Sequence, residues 1–145
     1  MKKIFSFLAA AMFCLTANAD YYFAGVANGW NNTSTPFVEV GGGEYYVTLS
    51  DFWGTFKVTE DKNWHPQHGG YADGDKIKFN EDFILSNCDG TNDIANLGVE
   101  LPEGDYRYKD AKLTLYVQGT QLTIKLVEGT LYDHSTVGPT YQLVG

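Results

Sequence analysis

Two tryptophans and a lysine occupy the positions best suited to holding a neutral ligand. Trp30 follows Asn28-Gly29, Lys57 lies between Phe56 and Val58, and Trp64 stands in the polar run Lys62-Asn63-Trp64-His65-Pro66. A flat indole offers a broad apolar face to the axial C–H groups of a sugar ring, and a lysine ammonium donates to hydroxyls without having to titrate. Asn28, Gly29, Asn31 and Asn32 make the surroundings of Trp30 loop-like, and the polar flanks of Trp64 are unlike those of a core strand. Both indoles are therefore expected at a carbohydrate-binding surface. Trp53 follows Phe52 at a strand start and is expected in the core. Strand alternation turns Lys57 to the face opposite Phe56 and Val58, where a solvated lysine that blunts a sheet edge is the competing reading.

Other chemistries find less support. The chain has eighteen acidic residues, but none lies in a motif that sets a carboxylate separation or raises one pKa, so no catalytic residue and no enzyme are expected. His65 and His68 with Asp73 and Asp75 invite a metal reading, yet a structural zinc site needs four convergent ligands. Asp73-Gly74-Asp75 and Asp89-Gly90-Thr91-Asn92-Asp93 lack the twelve-residue calcium-loop spacing and its closing glutamate, and read as turns. Neither a metal nor a cofactor is expected.

The elements that must position these residues are strands. Period-two alternation or β-favouring runs occur at residues 21–26, 36–40, 45–49, 53–59, 76–79, 97–101, 105–108, 112–117 and 121–127. The last two, joined by Gln118-Gly119-Thr120, read as a hairpin with Leu113, Leu115 and Val117 opposite Leu122, Ile124 and Leu126. No window of ten or more residues after residue 19 has helical periodicity. Seven to nine short strands predict an all-β, antiparallel β-sandwich. Two long segments, 60–75 and 86–96, are expected as loops, the usual carriers of binding residues.

The ends bound the compartment. Lys2 and Lys3, an apolar run over 4–15 and Ala17-Asn18-Ala19 form an export signal, so the mature chain is expected to begin at Asp20. The expected location is outside the cytoplasm by the Sec route: periplasmic, cell-surface or secreted. Phe13 before Cys14 is too large for a lipid-attachment signal. The 126 remaining residues suit one domain, and eight basic against eighteen acidic residues give them a net charge of −10. That charge disfavours a nucleic-acid or anionic-membrane partner and suits a neutral one. Cys88 is the single cysteine left and is expected as a small buried filler. Residues 129–145 read as a linker or C-terminal segment, where Tyr141-Gln142-Leu143-Val144-Gly145 echoes Tyr21-Tyr22-Phe23-Ala24-Gly25 and could open a second module.

Taken in order, Tyr22-Phe23-Ala24-Gly25, Asn28-Gly29-Trp30, Gly54-Thr55-Phe56-Lys57-Val58, Trp64 with Gly69-Gly70, and Asn96 ahead of Leu101-Pro102-Glu103-Gly104-Asp105-Tyr106 resemble the starch-binding modules of the outer-membrane starch-utilisation proteins E and F. The early-set glycogen-binding modules are similar too. The resemblance covers residues 21–127. It implies an immunoglobulin-like antiparallel β-sandwich that binds α-glucan without catalysis, with Trp30 and Trp64 as stacking pair, Lys57 donating to sugar hydroxyls, Asn96 as a further contact, and association with other glycan-uptake proteins. The chain departs from that family in lacking its lipid-attachment cysteine and in carrying one module. The alternative is a secreted protein-interaction or adhesion sandwich that binds no glycan.

Overall fold

The computed structural model describes residues 20–86 and 93–136, and every described element but two short 3-10 turns is a strand. β1 (Tyr21–Gly25), β4 (Phe56–Glu60) and β5 (Asn63–His68) form a three-stranded sheet in the order β1-β4-β5. The second sheet contains β2 (Val38–Gly41), β3 (Glu44–Phe52), β9 (Tyr106–Gln118), β10 (Gln121–Asp133) and β7 (Phe83–Ile84), ordered β2-β3-β9-β10-β7. All pairings in both sheets are antiparallel. A parallel pair, β6 (Lys76–Ile77) with β8 (Gly98–Val99), completes the all-β sandwich.

The core is what the alternation predicts. Leu122 pairs with Val117, Ile124 with Leu115 and Leu126 with Leu113, and these rows meet Phe23, Phe56 and Val58 of the three-stranded sheet. Phe23, Phe52 and Phe56 are fully buried with ring centroids 5.3–5.9 Å apart. Each such pair adds about 0.5–1.5 kcal/mol beyond the burial of its area.

Four expectations change. The segment 60–75 is not all loop, because β5 lies within it and covers the edge of β4. The two strands expected at 105–108 and 112–117 are one, continuous through Asp110 at φ 51. Residues 129–133, expected as linker, continue β10, and the pairs Leu131↔Tyr108 and Tyr132↔Arg107 hold them to β9. Trp53 is half-buried rather than core: Phe52 takes the inward position opposite Tyr108, and the next indole lies under the Arg107 guanidinium, 3.6 Å from the ring centroid. The expected export signal, Cys14, Cys88 and the 141–145 echo lie outside the described residues. Among the described residues no helix is long and apolar enough to cross a membrane.

Candidate functional site

β4 is buried on both faces, and this organises the site. Its core face carries Phe56 and Val58, and its outer face carries Lys57 and Thr59 beside Ala24 and Tyr22 of β1 and Gln67 of β5. β5 reaches Gln67 through an irregular step, since Glu60 pairs with Asn63 but Thr59 pairs with Gln67. Trp64, His65 and Pro66 bulge from the ladder there, with Trp64 39% exposed. A bulge of this kind re-aims side chains away from the sheet.

Gln67 is the hub of the polar network under that bulge. Its amide nitrogen donates to the Trp64 carbonyl at 2.7 Å and to Asp93 Oδ1 at 3.2 Å. Its Oε1 accepts from Lys57 Nζ at 2.6 Å and from the Ile94 backbone N–H at 2.9 Å. All four hydrogen-bonding positions of the amide are used, which fixes its orientation. His65 Nε2 meets the same Asp93 oxygen at 3.1 Å, and the Asp93 carboxylate remains open to solvent. Burial pulls the Lys57 ammonium below the usual lysine range, partly offset by the nearby Asp93 carboxylate. Lys57 is only 8% exposed, so its ammonium is committed to holding Gln67 rather than standing free for sugar hydroxyls. The groups that face outward are Trp64, His65 and Asp93.

Trp30 is placed with equal care at the other end of β4. Its backbone N–H donates to the Gly25 carbonyl at 2.8 Å, and Gly25 pairs with Phe56. Gly25 must be glycine, because a Cβ there would lie 2.5 Å from both the Phe56 Cβ and the Thr55 carbonyl oxygen. Asn28 ties the loop down: its Oδ1 accepts from the Gly25 N–H, and its Nδ2 donates to the Phe23 and Asn31 carbonyls and to Thr35 Oγ1, all within 3.0 Å. Trp30 itself has φ 60, left-handed backbone that costs a bulky L-residue roughly 1–2 kcal/mol. Four residues of β4, about 13 Å, separate its anchor from that of Trp64. The half-buried Asn96 lies at the Trp30 end, beside Leu97, which bridges to Phe56. The expected residues therefore fall into two groups along one sheet, Trp30 with Asn96 and Trp64 with Lys57.

The sequence carries no signal for Gln67, reads Asp93 as part of a turn, and gives His65 no role beyond that of a surface histidine. The spacing of 26 residues from Gln67 to Asp93 carries no local signal. His68 does not join His65: it lies on the core face, 2% exposed, with Nε2 2.7 Å from Glu60 Oε2. Among the described residues no three potential metal ligands converge. Comparisons with protein-family models, curated proteins and solved structures return no match.

Proposed function

We propose that this protein binds starch or a related α-glucan without catalysis, through the aromatic and polar surface at the β5 bulge. The observation that carries the reading is Trp64, an indole 39% exposed beside a hydrogen-bonded network already locked in place. A preorganised polar rim loses little entropy on binding, and the open indole supplies the apolar face that a pyranose ring needs. In this reading Trp64 stacks, while His65 and Asp93 exchange hydrogen bonds with hydroxyls. Lys57 and Gln67 hold that rim, and Trp30 with Asn96 forms a second contact for a longer chain. The α-linkage and association with other glycan-uptake proteins rest on the sequence resemblance, and export by the Sec route rests on Lys2, Lys3, the apolar run over 4–15 and Ala17-Asn18-Ala19.

Affinity electrophoresis in gels containing starch, glycogen or no glycan tests this reading, together with calorimetric titration of maltoheptaose. The parent is expected to be retarded by one or both glucans, and Trp64→Ala to lose about tenfold in affinity with unchanged melting, since a stacking face is worth about 1–2 kcal/mol. Equal binding by parent and variant would remove Trp64 from the site. A specific feature favours the protein-interaction alternative: β2 is an edge strand whose Val38 and Val40 are 48% and 65% exposed. Such an edge can accept another strand. Absence of retardation on every glycan would favour that reading.

A further inference from the structure

The outer face of the five-stranded sheet carries ordered rows of side chains that the β5 bulge does not use. Glu44, Tyr116, Thr123 and Ile84 are successive partners across β3, β9, β10 and β7. The next row outward along β9 is Tyr46, Thr114 and Lys125, and the one after it is Thr48, Lys112 and Glu128. Their sequence neighbours Val47, Leu113, Leu115 and Ile124 fill the core, so alternation turns these rows to solvent.

This face is not flat. A depression of about 600 Å³ is centred on Tyr116 and Thr123 and reaches Gln118 and Gln121 at the hairpin end. That volume is within the usual range for small-molecule sites. A second, of about 330 Å³, lies over Thr48, Lys112 and Glu128. Between them the Tyr46 ring sits with Lys112 Nζ 5.0 Å from its centroid. Tyr116 and Lys112 are four residues apart on β9, so the two depressions lie in line about 13 Å apart.

We propose that this face is a second glycan-binding surface, on which a linear, neutral oligosaccharide lies along β9 with one ring against Tyr116. Tyr116 and Ile84, 41% and 49% exposed, supply the apolar flank. Thr114, Thr123, Gln118 and Gln121 supply neutral donors and acceptors for hydroxyls. The charges select against an anionic ligand. Lys125 Nζ is 4.0 Å from Asp82 and Lys112 Nζ 3.9 Å from Glu128, so each cation already has an acid, and Glu44 adds a further carboxylate at the rim. The composition also departs from a protein interface, whose centre is apolar and depleted of charge. The inference rests on reading the protein as a glycan binder but shares no residue with the β5 site, from which it is separated by the sandwich core. Two surfaces on opposite layers let one polysaccharide network engage the protein twice and raise its retention through effective concentration.

Amide chemical-shift mapping of the isotope-labelled protein with maltoheptaose, cellohexaose and xylohexaose separates the two surfaces. The expected result is two independent sets of shifted amides with at least one glycan, one around Trp64 and Asp93 and one around Tyr116 and Thr123. Tyr116→Ala is expected to weaken the second set about tenfold and leave the first unchanged, and Trp64→Ala to do the reverse. Shifts confined to the β5 bulge would overturn this inference and leave the proposed function standing. Shifts confined to β9 and β10 would support the inference and reject the bulge as the site. No shift with any of the three glycans would reject both.

Discussion

Adjacent aromatics in this chain do opposite jobs. Phe52 is sealed between Phe23 and Phe56, while Trp53, one residue on, stacks under Arg107 at the sheet margin. Removing the Phe52 ring leaves a cavity that its neighbours cannot fill, and Phe52→Ala is expected to cost about 3–5 kcal/mol. Trp53→Ala loses a cation–π contact and partial burial, with an expected cost of about 1–2 kcal/mol. Urea unfolding of the two variants checks this, and equal losses would place Trp53 in the core after all. The same contrast governs Lys57. A lysine between two core residues reads as solvated by alternation alone, yet the outer face of β4 is itself covered and the ammonium ends on Gln67.

Among the elements, the loop after β1 is the best example of order without regular structure. One amide, that of Asn28, makes four hydrogen bonds and holds Trp30 in left-handed backbone. Asn28→Ala leaves the Gly25 N–H and the Phe23 carbonyl short of a partner in partly buried surroundings. The variant is expected to lose about 2–3 kcal/mol. Hydrogen exchange should quicken over residues 25–35 while β9 and β10 keep their protection. Slowed or unchanged exchange in the loop would show that Trp30 is held by other contacts. The β5 bulge makes the same point from the other side. Its residues lack an alternating apolar pattern because Trp64 to Pro66 leave the ladder, and so the segment reads as loop although its ends pair with β4.

For the whole molecule, the most consequential buried group is Glu60, 1% exposed in the core face beside Tyr21 and bonded to His68, with Asp61 next in sequence. Burial raises its carboxyl above the usual range, and the His68 hydrogen bond offsets this only in part. Its second oxygen, Oε1, has no hydrogen-bond partner among the described residues. A carboxyl with a raised folded-state pKa binds its proton more tightly folded than unfolded. The stability it contributes is therefore present below about pH 4, and is lost as pH rises through the raised value. Glu60→Gln is expected to remove that fall. Urea midpoints of parent and variant measured from about pH 4 to pH 7 should diverge as pH rises, with the variant the more stable. Parallel curves would mean that His68 fully compensates the buried charge.

What the sequence determines by itself is the class of fold and the pairing of its strongest hairpin. Period-two rows such as Leu113, Leu115, Val117 and Leu122, Ile124, Leu126 can bury one face only as paired strands, and their register follows from which residues are apolar. Trp64 was legible as a surface residue for the same local reason, since its neighbours are polar. The tertiary structure alone decides the rest. Whether an outward strand position is solvated depends on what crosses above it, and here Gln67 and Asp93 arrive from β5 and from a segment 26 residues further on. Whether Trp30 and Trp64 adjoin depends on the strand between them, and β4 sets their anchors at its two ends. Hydrophobic patterning is local and survives in the sequence, whereas hydrogen-bonded networks join residues distant in the chain and exist only once the sheets have packed.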